Sequence, residues 1–429
     1  MILQIKQRIE QIRCGGVPKG YKKTKIGIVP SEWEETHLSK YLVVSSEKNT
    51  KLEYTKNDVF SISGELGIVN QIELLGRSYA GASVAQYGIV YPNDIVYTKS
   101  PLKANPYGII KTNKTGKVGL VSTLYAIFHC KDNVCPDFVQ YYFELDQNLN
   151  NYLYPIVNIG AKHDMKISDE RSLNGWVIFP SLPEQEKIVE ILSTQDKIID
   201  LYQKKINELQ KLKTVLLSKV FPKKGESIPE WRFPQFTDAW EQRKLGDVVG
   251  VYDGVHQTPK YTDGGIMFLS VENIATLSSQ KYISKEAFER DYKVYPQKGD
   301  ILMTRIGDVG TPNVVETSEK LAFYVSLALL KPNDIDSYFL CNVIQSPLFK
   351  KGLKNRTLVT AIPQKINKDE IGKVEIIMPK SRTEQAQIGN CFRQLDNLIT
   401  LHQCKVEEMR NYKKSLTQLL LTGIVRVNA

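Results

Sequence analysis

Apolar residues follow two different periodicities along this chain. Over 181–221 and again over 380–429 they recur at heptad spacing, the mark of long helices, whereas the remainder carries short alternating or β-branched runs punctuated by Gly, Pro and Asn. The first helical stretch aligns Ile188, Tyr202, Leu209 and Leu216 in one row, Ile191, Ile198 and Leu212 in a second, and Leu192, Ile199 and Ile206 in a third. The other stretch repeats the rows as Ile388, Leu395, Met409, Leu416, then Leu398, Tyr412, Leu419, then Phe392, Ile399, Val406. Stripes this wide, sustained over about five heptads, predict two helices packed on each other as a coiled coil instead of two separate amphipathic covers. Both stretches open S-x-x-E (Ser181 with Glu184, Ser381 with Glu384), which predicts a capping box in which serine accepts from an early helical N–H and glutamate reaches back.

The two helices belong to a longer internal repeat. Ser181-Leu182-Pro183-Glu184-Gln185 and Ser381-Arg382-Thr383-Glu384-Gln385 align at a constant offset of 200, and Asp196/Asp396, Lys213/Lys413 and Leu216/Leu416 match without a gap. The regions upstream correspond more weakly. Trp33 and Leu38 match Trp240 and Leu245, and Asp94-Ile95-Val96-Tyr97-Thr98-Lys99 matches Asp300-Ile301-Leu302-Met303-Thr304-Arg305. The expected organisation is an N-terminal helical segment (1–28), a first globule (29–180), a central helix (181–221), a linker (222–235), a second globule (236–379) and a C-terminal helix (380–429). Ile2, Ile5, Ile9 and Ile12 give the N-terminal segment an amphipathic face, expected to pack near the C-terminal helix and so bring the chain ends together.

Composition narrows the class. With 42% hydrophobic and 24% charged residues over 429 positions, disordered and collagen-like chains are excluded. No apolar run approaches the roughly 18 residues of a membrane span, and a charged N-terminus unlike a signal peptide predicts a cytosolic protein. Cys14, Cys130, Cys135, Cys341, Cys391 and Cys404 form no C-x-x-C pair, so neither a disulfide framework nor a zinc knuckle is expected.

Catalytic signatures are missing from the sequence. It contains no G-x-G-x-x-G, Walker loop, H-E-x-x-H or G-x-S-x-G string, and Asn105-Pro106-Tyr107-Gly108 lacks the second proline of a methyltransferase motif and reads as a turn. No catalytic residue, metal site or cofactor is therefore expected in this chain.

Charge carries more information. The net charge of +10 permits a polyanionic partner without demanding one, and most of it lies outside the globules: +6 in residues 1–28 and +4 in 380–429, against −2 in 29–180 and 0 in 236–379. Each globule nevertheless holds an acid-free window. One, Ile95 to Lys131, carries Lys99, Lys103, Lys111, Lys114, Lys117 and Lys131; the other, Ser337 to Lys368, carries Lys350, Lys351, Lys354, Arg356, Lys365 and Lys368. These windows predict positive surfaces able to hold phosphates, with interleaved polar residues such as Asn105 able to read base edges. A solvated lysine face with no ligand is the competing reading of either window alone; recurrence in both globules weighs against it. Further candidate contacts are Lys162 and His163 in the first globule and Gln364 in the second, on loops before the closing strands, and Thr304 and Arg305, which the Gly307 turn could present at a surface.

The chain resembles the specificity subunit of type I restriction-modification systems. The likeness rests on the Pro183-Glu184-Gln185 and Thr383-Glu384-Gln385 helix openings, the linker from Phe221-Pro222-Lys223 to Phe236, and the segment Asp253-Gly254-Val255-His256-Gln257-Thr258-Pro259-Lys260-Tyr261. It also rests on the ending Leu419-Leu420-Leu421-Thr422-Gly423-Ile424-Val425-Arg426-Val427. The resemblance implies an α+β fold: two α/β target-recognition globules separated by two long helices that form an antiparallel coiled coil with pseudo-twofold symmetry. It implies a non-catalytic subunit that reads a bipartite, asymmetric double-stranded DNA site, with His256, Gln257 and Lys260 among the contacts. Partners would be two modification subunits using S-adenosylmethionine to methylate adenine, and restriction subunits using ATP and magnesium. The first globule lacks the D-G-x-H-x-T-P segment, so contact residues cannot be carried between the globules. Two other readings remain open at this point: a standalone methyltransferase or nuclease with diverged motifs, and a coiled-coil assembly scaffold that does not bind DNA.

Overall fold

The computed structural model describes residues 2–81, 83–101, 105–159 and 165–427. The chain divides into two units, one formed by residues 1–201 with 406–429 and the other by residues 202–405. The two long helices are α4 (Leu182–Val220) and α7 (Arg382–Leu421), 39 and 40 residues, or about 60 Å each at 1.5 Å per residue. They pack together, and each contributes one half to either unit.

In the first unit, α1 (Ile2–Arg13) covers only the start of the 1–28 segment, which continues into a short hairpin pairing Tyr21–Lys23 with Ile28–Pro30. Four antiparallel strands follow: β2 (Leu42–Val44), β3 (Ile95–Thr98), β4 (Ile110–Thr112) and β5 (Tyr125–Cys130), in the order β2-β5-β3-β4. Beside them β1 (Glu34–His37) pairs with the closing strand β6 (Trp176–Phe179). Helices α2 (Pro136–Glu144) and α3 (Asp146–Leu153) complete the layer. The core joins Leu38, Leu42, Tyr97, Phe128, Phe138 and Phe179 to Ile188 and Leu192 of α4 and Leu420 of α7. The chain ends meet as expected: Arg8 donates to the Ile424 carbonyl, and the Tyr21 hydroxyl donates to Gly423 O at 2.7 Å.

The second unit repeats this plan. Its strands β8 (Val249–Asp253), β9 (Ile301–Ile306), β10 (Asp308–Val314) and β11 (Leu327–Pro332) lie in the equivalent order β8-β11-β9-β10, with β7 (Glu241–Lys244) paired to β12 (Glu375–Met378). Helices α5 (Ser337–Gln345) and α6 (Pro347–Arg356) take the places of α2 and α3. The matched Asp94 and Asp300 perform one task, accepting from the backbone N–H three residues earlier (Tyr91 at 2.7 Å, Gln297 at 2.8 Å) to fix the turn that launches β3 or β9. Both units hold a further core: in the first it joins Phe60, Ile68, Val90 and Val121, and in the second Phe268, Phe288, Phe323 and Leu329, built around a three-stranded sheet of Ile266–Leu269, Tyr282–Ile283 and Leu321–Phe323.

Each unit contains an antiparallel helix pair. In the first, Lys413 Nζ donates to Asp196 at 2.5 Å; in the second, Lys213 Nζ donates to Asp396 at 2.7 Å and the Tyr202 and His402 rings meet at a tilt with centroids 5.6 Å apart. The buried seam runs through Ile188, Leu192, Ile199, Ile206, Leu209 and Val220 on α4 and through Ile388, Phe392, Leu395, Ile399, Val406 and Leu420 on α7. Tyr202, Leu216, Met409 and Leu416, on the same heptad positions, are half-buried. The row containing Ile191, Ile198 and Leu398 is not the seam: Leu398 is 46% exposed and Leu212 47%, while Ile191 is turned to the core of the first unit.

The expected capping box is replaced by a different use of the glutamates. Ser381 Oγ does accept from Glu384 N at 3.3 Å. The Glu384 carboxylate, however, accepts from Trp240 Nε1 at 3.1 Å and from Arg232 Nε and Nη2 at 2.7 and 2.8 Å. Glu184 does the same with Trp33 (3.1 Å) and Arg426 (2.6 and 2.8 Å). A bidentate guanidinium and an indole N–H outcompete a single backbone donor for a carboxylate this deeply buried. The pair holds the Arg426 guanidinium above its ordinary proton affinity, its hydrogen bond to Glu184 prevailing over desolvation. The adjoining glutamines are equally fixed, with Gln185 accepting from Cys135 N and Gln385 from Asp336 N, both at 2.9 Å. Gly389 lets α7 pass close to α5, since a Cβ there would sit 2.7 Å from both Asp336 Oδ1 and Phe339 N.

Candidate nucleic-acid interface

The two acid-free windows have opposite fates in space. In the first unit every lysine of the window that is described finds an internal acceptor. Lys99 pairs with Asp169 at 2.7 Å, Lys111 with Glu144 at 3.5 Å, Lys114 with Asp137 at 3.1 Å and Lys117 with Glu73 at 3.2 Å, while Lys131 donates to Ser39 O at 2.8 Å. Lys111 is buried as well, being 8% exposed. The fold brings carboxylates from distant segments against a stretch that has none of its own, which offsets its charge, although Lys114 and Lys117 stay exposed. Asn105 closes the expected turn, accepting from Gly108 N, and donates to Asp146 at 3.1 Å. Lys103, Lys162 and His163 lie outside the described residues.

In the second unit Lys350, Lys351 and Lys354 on α6, with Lys365 and Lys368 beyond it, are exposed, and among the described residues none of the five forms an ion pair. Only Arg356 of this window is engaged, with Glu370 at 3.4 Å. The helix starts cleanly, Ser346 Oγ accepting from Phe349 N at 3.4 Å with Pro347 in the first turn. Phe349 and Leu353 anchor its inner face, which turns the lysines outward.

A protruding loop follows α6. Leu358 and Lys365 exchange backbone hydrogen bonds at its base (2.8 and 3.4 Å), and Gly307 N donates to Gln364 O at 2.8 Å while the Gln364 side-chain amide donates back to Gly307 O at 2.9 Å. The loop is thereby tied to the β9–β10 turn. Its exposed tip is apolar: Leu358 is 46% exposed, Val359 62% and Ile362 100%. Composition and charge gave no warning of this feature; aliphatic residues within an otherwise basic segment were the available signal.

Thr304 and Arg305 are not presented at the surface. Both are buried, at 0% and 5% exposure, because β9 is the third strand in a four-strand order and is covered on both sides. Thr304 Oγ1 accepts from Thr311 N at 2.9 Å. Arg305 pairs with Asp253 and donates from Nε to Ile366 O at 3.1 Å, and burial draws its guanidinium below its ordinary pKa. Its position is structural: it joins the end of β8, where the loop bearing exposed His256, Gln257 and Lys260 begins, to the end of the apolar-tipped loop. Two candidate contact loops thus leave from one clamped root.

Among the described residues no group of three or more His, Cys, Asp or Glu could hold a metal ion, and no helix is long and apolar enough to cross a membrane. All six cysteines are unpaired; burial pushes the thiols of Cys130 and Cys341 up to about 12, the opposite of an activated nucleophile.

Residues 237–410 match the family model of the type I restriction modification DNA specificity domain. Over 329 residues the chain is 26% identical to the type I restriction enzyme MjaVIII specificity subunit of Methanocaldococcus jannaschii, covering 73% of this chain and 76% of that protein. The putative MjaX specificity subunit of the same organism is 23% identical over 439 residues, covering 95% and 97%. The fold is similar to the crystal structure of the type I restriction-modification S subunit from M. genitalium, with a TM-score of 0.55, 13% identity and coverage of 96% of this chain and all (100%) of that one. It is also similar to a chain from a structural study of assembly and conformational transition in the type I R-M system, with a TM-score of 0.53, 16% identity and coverage of 92% and 99%. Residues 237–410 thus carry a type I restriction modification DNA specificity domain, and over most of its length the chain is similar to specificity subunits of type I restriction-modification systems.

Proposed function

We propose that residues 29–180 and 236–379 are two target-recognition domains, each reading one half of a bipartite, asymmetric double-stranded DNA site. Residues 181–221 and 380–429 act as helical spacers, 222–235 as the linker and 1–28 as an N-terminal segment tied to the chain end. The observation that carries the reading is the exposed, unpaired set Lys350, Lys351, Lys354, Lys365 and Lys368 beside loops rooted at Arg305. Exposed cations without acidic partners are the electrostatic footprint of a phosphate backbone, and His256, Gln257 and Lys260 supply polar groups for base edges. In the first domain, Lys103, Lys162 and His163 keep the role proposed from sequence, while Lys99, Lys111, Lys114 and Lys117 act in holding that domain's fold.

The helix pairs also leave apolar side chains uncovered: Leu201 and Tyr412 in the first unit, and Leu212, Val215, Leu398 and Leu401 in the second, are between 46% and 65% exposed. This supports docking of two modification subunits, which carry S-adenosylmethionine and methylate adenine, and of restriction subunits with ATP and magnesium, in the cytoplasm of a prokaryote. Methylome sequencing of a host expressing this chain with its modification partner tests the reading. A two-part motif with unequal halves and an intervening spacer is expected; a continuous or palindromic motif contradicts it.

A further inference from the structure

We infer that the loop after α6 reads the C5-methyl group of a thymine in the half-site of its domain, with Ile362 as the specificity-determining contact and Val359 beside it. This deepens the proposed function and rests on it. An isoleucine 100% exposed at a loop tip, with Val359 at 62% and Leu358 at 46%, forgoes the burial that would stabilise it elsewhere. Exposed aliphatic side chains acquire a use when a partner covers them. The flanking charge selects the partner class: from Ser337 to Lys368 there is no carboxylate, and five lysines form no ion pair among the described residues. The nearest acid on the adjoining turn, Asp308, accepts from the Thr311 hydroxyl at 2.6 Å.

A polyanion met by an aliphatic tip is DNA with an apolar spot on a base edge, and in the major groove that spot is the thymine methyl. The tip has little else to read with. The Thr357 hydroxyl donates to Leu353 O at 2.9 Å, and the Gln364 amide is turned back onto Gly307. Apart from the Thr360 hydroxyl, the side chains at the tip are hydrocarbon. The loop is braced at its base by the backbone bonds between Leu358 and Lys365 and between Gly307 and Gln364, so ordering it on DNA costs little entropy.

The test uses the full chain reconstituted with its modification subunits and a duplex carrying its methylation motif, with each thymine of the half-sites replaced in turn by deoxyuridine. At one thymine of the half-site read by residues 236–379, loss of the methyl is expected to weaken binding about fourfold, the order expected for one buried methyl group. Ile362→Ala, and Val359→Ala with Ile362→Ala, are expected to bind thymine and deoxyuridine duplexes alike. Specific binding with no response to deoxyuridine at any position, a half-site without an A·T pair, or discrimination that survives in the double variant overturns the inference and leaves the DNA-reading function standing. Failure of the wild-type complex to distinguish intact from scrambled half-sites overturns both.

Discussion

Replacing Glu384 by alanine is expected to destabilise the second unit by about 3–5 kcal/mol. Glu384 is 1% exposed and accepts three hydrogen bonds, from Trp240 and from both ends of the Arg232 fork. Its removal strands a guanidinium whose side chain is 10% exposed, together with an indole donor. A unit of roughly 200 residues loses about 2–4 °C per kcal/mol, so calorimetry should show the transition involving this unit lowered by about 6–20 °C. Glu184→Ala is expected to destabilise the first unit in the same direction but by less, because Trp33 loses its acceptor while Arg426 keeps its 2.9 Å pairing with Glu32. Restoring shape without charge, with Arg232→Met and Glu384→Leu together, should recover much of the loss, because a buried ion pair is costly mainly when half of it remains. A shift under 1 °C for Glu384→Ala would show that the lock does not hold the unit together.

Converting Lys350, Lys351, Lys354, Lys365 and Lys368 to glutamine should weaken DNA binding by the reconstituted complex about 100-fold or more near 0.1 M salt. Each lysine that neutralises a phosphate contributes close to one unit to the slope of log K against log salt. The variant is therefore expected to lose about 3 to 4.5 units of slope. Its melting should barely change, since none of the five makes an ion pair within the described structure. The contrast lies in the first unit: Lys114→Gln with Lys117→Gln removes lysines already paired to Asp137 and Glu73, and should change the slope by less than about one unit. Equal losses from the two sets would mean that internal pairing does not decide which lysines meet DNA.

The long helices, their mutual packing and the duplicated globules were legible in the sequence because heptad spacing and a gapless offset are local signals. The seam was only partly legible. Its heptad positions include Gln195, His402 and the Lys213 and Lys413 that pair with Asp396 and Asp196, so polar residues interrupt the true row. The row of Ile191, Ile198 and Leu212 is broken in the same way, by Lys205, so the apolar pattern does not separate it from the seam, although Leu212 is 47% exposed. A single ion pair in a coiled-coil seam fixes register at the expense of apolar continuity, and continuity is what the hydrophobic pattern measures.

The interface was less legible, for a physical reason visible in the two windows. Freedom from acidic residues along the sequence says nothing about acids brought near by folding, and Glu73, Asp137, Glu144 and Asp169 close on the first window from outside it. In the second unit Arg305 lies where an exposed contact was expected, but the strand order buries it, and it became the clamp on two loops. The tryptophan–glutamate–arginine locks were half visible. Trp33, Trp240 and the glutamates stood out as repeats, whereas each arginine lies beyond the end of the opposite long helix, too far along the chain for spacing to connect it.

The central claim is that the two domains read separate halves of one DNA site, and equilibrium binding of the reconstituted complex tests it most directly. Anisotropy titrations at fixed salt would compare the methylation-motif duplex with duplexes in which one half or the other is scrambled. Either scramble alone is expected to weaken binding by about 100-fold or more, since each mismatched base pair costs about 1–3 kcal/mol. Equally tight binding after scrambling either half would contradict the account.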